Sequence, residues 1–245
     1  MTRSDPPSRQ DRDRRPQGPG RWKVIGAIVA LVVVVGGLTA VAYLTPLMSV
    51  RSIEVTGAAA VDDAEILQVA AVPEGAPLLR VDTSAIADRV SMLPAVESVN
   101  VSLGYPSTVT IEVTERTPVV KLERDGKIGV MDRLGMVYLT FESVKAMPKD
   151  LQVLPDLVMD DPGASNPTTQ AALTVVQDLP DWLRSRTTEV SADSPSGIRL
   201  KLKSGRIAVW GDSDRTADKA EALRHLLSVK GTEYNVSSPE YTSVS

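Results

Sequence analysis

Cysteine is absent from the 245 residues, histidine occurs once and phenylalanine once. Each scarcity removes a class of chemistry. Without cysteine there is no disulfide framework and no thiolate nucleophile, so a domain outside the cytoplasm must hold by its core alone. His225 is the only imidazole, which leaves a nucleophile–base pair one candidate base. It falls between Arg224 and Leu226 in an ordinary amphipathic helical pattern. Aromatics make up 4 % of the chain, and the core must be built from Val, Leu, Ile and Ala. A glycine-rich phosphate loop with its lysine is also missing. Gly211-Asp212-Ser213-Asp214 is the nearest approach, and Asp212 or Ser213 fits better as the cap of a following helix. The densest acidic cluster, Asp160-Asp161 before Pro162, reads as a solvated loop rather than a metal site. No catalytic residue, no cofactor and no metal are expected.

Charge is divided unevenly. Residues 1–23 hold seven Lys or Arg against three Asp, a net of +4; the whole chain is −4, leaving −8 for the rest. That balance argues against a nucleic-acid surface. From Val24 to Leu44 (VIGAIVALVVVVGGLTAVAYL) the chain runs 21 residues without a charge. At about 1.5 Å per residue, a helix of that length crosses a hydrocarbon layer roughly 30 Å thick. Arg14, Arg15, Arg21 and Lys23 abut one end, and the first charge past the other is Arg51. The positive-inside bias therefore predicts a cytoplasmic N-terminus and a single-pass, type II protein of the inner (plasma) membrane, with everything after 44 outside. Ala40-Val41-Ala42 has the small-x-small form of a signal cleavage site, but the apolar run exceeds the roughly 7–15 residues of a signal core. A retained transmembrane helix, 24–44, is expected. Residues 1–23, rich in Pro, Arg and Asp, are expected to be a disordered cytoplasmic tail.

Beyond the apolar run the periodicity changes. Val50, Ile53 and Val55 alternate with polar residues up to Gly57, a strand signal. Asp62 stands three residues before Glu65, the spacing of a capping box, and Ile66, Leu67, Val69 and Ala70 give the helix an apolar face. A second helix starts near Thr83, with Ile86, Val90 and Leu93 on one side and Pro94 as its stop. Val99, Val101 and Leu103, then Val109, Ile111 and Val113, alternate across the turn Gly104-Tyr105-Pro106-Ser107, a hairpin. Two strands alone are marginal, so the first strand must join them. The unit reads β-α-α-β-β over 48–116.

Residues 117–240 read as a mixed, largely antiparallel β domain with helices. A hairpin turns at Asp125-Gly126, and a second turn spans Asp132 to Gly135. Residues 147–167 are mostly loop with a short strand near Leu154 to Val158. One helix is expected over 168–183, a hairpin turns at Ser204-Gly205, and a last helix covers 216–229. The closing strand runs from Thr232 to Val236, followed by a polar tail, 241–245. The fold class is α+β.

The order of elements and several motifs resemble a POTRA domain and, beyond it, the FtsQ/DivIB family of bacterial cell-division proteins. Leu93-Pro94-Ala95-Val96 precedes the hairpin, Pro106 lies in its turn, and Glu115-Arg116-Thr117-Pro118 marks its exit. Val130-Met131-Asp132-Arg133-Leu134-Gly135 resembles that family's hairpin turn and Tyr234-Asn235-Val236-Ser237-Ser238-Pro239 its closing strand. The resemblance implies an essential-type divisome scaffold that links early and late division proteins at the septum. It implies that the closing strand region, Tyr234, Asn235, Val236, Ser237 and Ser238 with Tyr241 just beyond, recruits the bitopic FtsB/FtsL pair, and it extends the partners to FtsW/FtsI-type septal synthases. A strand closing a mixed sheet often lies at an edge, where unpaired backbone can receive a partner strand. Two alternatives remain, a membrane-anchored cell-envelope enzyme and another POTRA-bearing assembly factor. The lack of a reactive set opposes the first. The lack of a series of about ten-residue alternating barrel strands opposes the second.

Overall fold

The computed structural model describes residues 21–44 and 48–245, with side chains at 22–38 and 48–245. The tail expected over 1–23 lies, as far as residue 20, outside the described residues. The apolar run forms one helix, α1 (Arg21–Leu44). Among the described residues no helix is long and apolar enough to cross a membrane; the last part of the expected span, 39–44, lies outside the described side chains. From Val24 to Leu38 the large apolar side chains are 46–67 % exposed, and they occupy every side of the helix rather than one stripe.

By its internal contacts the chain divides into two compact units, one of residues 54–72, 82–102 and 110–245, the other of residues up to 53, 73–81 and 103–109. In the second unit, Val50 and the connector are tied by Val50 N–H to Ala76 O and Gly75 N–H to Val50 O, each 2.9 Å, and Arg51 N–H reaches Ser107 O at 2.9 Å. A 3₁₀ turn at Leu78–Arg80 buries Leu78 completely.

The expected β-α-α-β-β order is the one found: β1 (Ser52–Thr56), α2 (Asp63–Ala70), α3 (Thr83–Ser91), β2 (Val96–Gly104) and β3 (Thr108–Glu115), with sheet order β1-β3-β2. Both helix starts follow from their aspartates. Asp62 accepts Ala64 N–H and Asp82 accepts Ala85 N–H, satisfying amides that a helix leaves free. Arg89 on α3 donates to Ala70 O, at 3.1 Å from Nε and 2.5 Å from a terminal nitrogen, and so covers the last carbonyl of α2. Gly57 is forced. Its φ is +83°, and any Cβ there would run into the Val113 carbonyl oxygen. Glu115, the last residue of β3, gathers the loop before α2 by accepting the amides of Ala59, Ala60 and Val61. Burial alone would raise its carboxyl, but those three amides outweigh it and hold the group below the ordinary carboxylate range.

The larger sheet has the order β12-β11-β10-β9-β8-β7-β4-β5-β6. Its strands are β4 (Pro118–Arg124), β5 (Lys127–Asp132), β6 (Val137–Phe141), β7 (Asp156–Val158), β8 (Thr187–Ala192), β9 (Ile198–Leu202), β10 (Ile207–Gly211), β11 (Glu233–Asn235) and β12 (Ser243–Val244). Pairing is parallel at β4–β7, β7–β8 and β10–β11 and antiparallel elsewhere. The chain between β7 and β8 returns through α5 (Pro167–Asp178) and α6 (Asp181–Arg184). The single helix expected over 168–183 is two, because Pro180 supplies no N–H and ends the first at Leu179. α4 (Lys149–Gln152) interrupts the loop before β7. The final helix, α7 (Thr216–Leu226), is not capped by Asp212 or Ser213; Arg215 occupies the cap position at φ +54°, and its side chain bonds none of the helix's free amides. Asp212 instead holds the buried Lys219, 2.5 Å from its Nζ, and hydrogen bonding to that ammonium group lowers the Asp212 pKa.

One face of this sheet and α5 and α7 share a core of Val120, Leu173, Val176, Leu200, Trp210 and Leu223, among others. Along β9 the pattern is strict, with Ile198, Leu200 and Leu202 buried and Arg199 and Lys201 exposed. β4 is buried on both sides from Val119 to Leu122. Beside it a smaller cluster of Val130, Met147 and Leu151 packs with Tyr138, Leu139 and Phe141. Lys121, inside that stretch, directs its ammonium group to Leu154 O and to Asp156 at 3.3 Å.

Three of the segments singled out by their motifs meet at one place. Arg116 donates its backbone N–H to Ala95 O at 2.8 Å and Nε to Pro94 O at 3.1 Å, and a terminal nitrogen lies 2.5 Å from Asp132 Oδ2. The Asp132 side chain is wholly buried. Its other oxygen accepts Leu134 N–H at 2.9 Å and Met136 N–H at 2.8 Å, shaping the β5–β6 turn. Next to it Arg133 forks onto Glu97, with Nε 3.1 Å away. Removing the guanidinium strands a buried carboxylate, so Arg116→Ala is expected to cost about 3–5 kcal/mol, and adding Asp132→Asn should return part of that. Urea titration of the full chain in detergent measures both; a loss under about 1 kcal/mol for Arg116→Ala would mean the pair is dispensable.

Candidate functional site

The closing strand was expected at an edge of the sheet. It is the second strand from the end. β11 lies parallel to β10, pairing Ile207 with Glu233 and Val209 with Asn235, and antiparallel to β12, pairing Tyr234 with Val244 and Asn235 with Ser243. The residues expected to form a polar tail therefore supply the outermost strand. A two-residue strand has no hydrophobic period to read, and Val244 is its only apolar residue. The ladder is nevertheless well formed. Glu233 and Ser245 exchange both backbone bonds, at 3.1 and 3.0 Å. By the alternation of an antiparallel pair, Val244 then directs its own N–H and C=O away from β11, toward the open side.

The six residues proposed for binding divide into three kinds. Tyr234 and Val236 are completely buried. The Tyr234 hydroxyl lies 2.8 Å from Val229 O and 3.0 Å from Gly231 O, and the Arg206 guanidinium stacks 5.6 Å from its ring centre. Both side chains belong to the core of the sheet. Asn235 and Ser237 build the bend that follows: Asn235 Oδ1 accepts Ser237 N–H at 3.0 Å and Ser237 Oγ–H at 2.7 Å. That bend presses against Gly211, where φ is +83° and a Cβ would lie 2.8 Å from the Ser237 Cβ. Only Ser238 and Tyr241 face solvent, Tyr241 at 85 % exposure. Tyr241 N–H returns to Ser238 O at 2.9 Å, which turns the chain into β12.

Sequence reasoning missed the groups that hold this turn in place. Arg215 bridges Glu240 at 2.6 Å and Asp218 at 2.9 Å. Hydrogen bonding to Arg215 lowers the Glu240 pKa, and bonds to Glu240 and Asp218 raise that of Arg215. Arg215 and Glu240 are separated by 25 positions in the sequence, with no local signal joining them. His225 is exposed, with Nε2 3.2 Å from Glu221 one turn away on α7. Among the described residues no group of three or more His, Cys, Asp or Glu could hold a metal ion.

What the arrangement offers is backbone. An outer strand with free N–H and C=O, an exposed tyrosine beside it and a rigid bend behind it can receive an extended segment. Residues 48–116 match the family model described as POTRA domain, FtsQ-type, and residues 122–243 match Cell division protein FtsQ/DivIB, C-terminal. Cell division protein FtsQ of Mycolicibacterium smegmatis is 40 % identical over 218 residues, covering 89 % of this chain and 63 % of that protein, so the chain spans less than two thirds of that relative. The FtsQ of Mycobacteroides abscessus is 38 % identical, covering 93 % of this chain and 73 % of its own length. That of Corynebacterium glutamicum is 32 % identical, covering 90 % and 96 %.

The division between core and surface residues is measurable. Tyr234→Ala should destabilise the protein by roughly 3–5 kcal/mol, as for a large side chain removed from a core, while Tyr241→Ala should stay within about 0.5 kcal/mol. Thermal unfolding of the two variants separates them, and equal shifts would contradict the assignment.

Proposed function

The chain belongs to the FtsQ/DivIB family of cell-division proteins, and from that premise we propose that it is a membrane-tethered, non-enzymatic scaffold of the division machinery. α1 is the tether. Its valines and leucines are exposed on every side from Val24 to Leu38, a surface that water penalises and lipid accepts. Arg21 and Lys23 at its start and the charge-free run to residue 50 favour an N-terminus in the cytoplasm. The folded remainder then stands outside at the septum, where confinement beside the membrane raises the effective concentration of other single-pass proteins.

The observation that supports partner recruitment is the open side of β12. The partner we assign to it is the FtsB/FtsL pair, joining by strand addition next to Tyr241 and Ser238. FtsW/FtsI-type synthases are gathered through that pair. Tyr234 and Val236 contribute by holding β11 and β12 in place rather than by contact. The acidic balance of the outer part and its single exposed histidine fit a binding protein better than a cell-wall enzyme.

Two experiments test this. A reporter that is active only outside the cytoplasm, fused after Ser245, should be active; activity of a cytoplasm-only reporter at the same point would reverse the topology. In cells depleted of the protein, which should grow as filaments or chains, the wild-type gene should restore septation and Val244→Pro should not. Proline there removes the outward N–H while keeping both bonds between Glu233 and Ser245. Val244→Ala, which trims the side chain but keeps the N–H, should restore division. Full rescue by Val244→Pro would rule out strand addition at this edge.

A further inference from the structure

At the turn from β9 to β10 a cleft of about 430 Å³ is lined by Arg186, Leu202, Lys203, Ser204, Arg206 and Leu227. Three of the six are cations and none is an anion. Their positions are set by bonds that leave the charges unanswered. Lys203 N–H donates to Arg186 O at 2.8 Å, which brings the roots of the two side chains together. Arg206 gives one nitrogen to Leu227 O at 2.8 Å and lies over the ring of Tyr234. The Arg186 guanidinium is 5.8 Å from the Trp182 ring centre, and that of Arg224 is 4.9 Å from the same ring.

Neighbouring cations are neutralised. Arg199 meets Glu233, Lys201 meets Glu189 and Arg224 meets Glu221. Among the described residues no carboxylate lies within 4.0 Å of a charged nitrogen of Arg186, Lys203 or Arg206. Three clustered positive groups repel one another, and a protein whose outer part carries −8 has acids available to place there. Their absence marks a surface shaped for an anion from elsewhere.

The cleft does not stand alone. Lys203 also lines a second groove of about 560 Å³ whose apolar wall includes Val119, Val153, Leu154 and Pro155, and whose one carboxylate, Asp181, is already paired with Arg184 at 3.8 Å. Val153 is 77 % exposed there. A basic cleft that shares Lys203 with a groove carrying an aliphatic wall suits an occupant that is acidic at one end and apolar at the other. A broad polyanion is the wrong match, because an anionic membrane or a nucleic acid would approach the whole acidic body. A short segment feels the local field within a Debye length of about 8 Å.

We propose that this cleft and groove form a docking surface for an acidic, aliphatic-anchored segment of a partner protein. Carboxylates of the segment engage Arg186, Lys203 and Arg206, and an aliphatic side chain rests against Val153 and Pro155. The surface works through side-chain charge and is independent of strand addition at β12.

The test uses the full chain in nanodiscs of zwitterionic lipid and a fluorescent peptide of two leucines followed by four glutamates. Fluorescence anisotropy should show saturable binding that weakens several-fold as salt rises from about 50 to 300 mM. The Arg186→Glu, Lys203→Glu double variant should lower affinity at least tenfold, and both positions are exposed enough for the fold to survive. Arg80→Glu, Lys145→Glu, which reverses two exposed cations elsewhere, should change nothing. The proposal is overturned if the peptide with glutamine in place of glutamate binds equally well, if the two double variants behave alike, or if no binding is seen at millimolar peptide. It is also overturned if phosphatidylglycerol vesicles bind through Arg186 and Lys203 while the peptide does not.

Discussion

The buried ion pair between Arg116 and Asp132 is the constraint on which the rest of the molecule is hung. A carboxylate with no exposure cannot be left unpaired, and the Asp132 carboxylate is answered from two directions. The amides of its own turn satisfy one oxygen. The guanidinium of a residue sixteen positions earlier satisfies the other, and that residue also grips the chain at Pro94 and Ala95. The start of β2, the exit of β3 and the turn after β5 therefore depend on one another. Arg133 and Glu97 repeat the connection on the outside, where solvent weakens it. Glu115, one residue before Arg116, faces the other way and gathers the loop ahead of α2. Two adjacent charged side chains thus organise segments that lie up to 56 positions from them.

Much of this is legible in the sequence. Alternation placed β2, β3, β9 and β10, and the aspartate at 62 announced the helix that it does cap. What was lost was lost for physical reasons. β8 reads Thr-Thr-Glu-Val-Ser-Ala, with one large apolar residue, and owes its place to the neighbours on both sides rather than to its own pattern. Pro180 lies inside a run whose apolar spacing continues past it, so periodicity suggested one helix where the missing N–H makes two. Asp212 has the right residue type for a cap, but the buried ammonium of Lys219 claims its carboxylate. Competition of that kind is settled in three dimensions and leaves no mark on local sequence.

The candidate binding segment divides between core and surface in a way its sequence does not announce. The segment 234–241 does stand next to the open end of the larger sheet, yet its most conspicuous residues, Tyr234 and Val236, turned inward. The same alternation that makes a strand recognisable also sends every second side chain to the core. The strand that presents free backbone, β12, is the one with almost no pattern. The basic cleft was invisible for a different reason. Arg186, Lys203 and Arg206 are scattered in the sequence and are brought together only by the pairing of β8 with β9 and the turn into β10.

The brevity of β12 has a bearing on fidelity. A long, flat margin of unpaired backbone welcomes any extended chain, copies of itself included, and invites fibrous growth. Two residues offer too few rungs for a stranger to stay, and the bend braced by Glu240 and Arg215 interrupts the margin just before them. A genuine associate must bring additional contacts of its own. Among many extended polypeptides, such a protein stays available by being a poor template on its own.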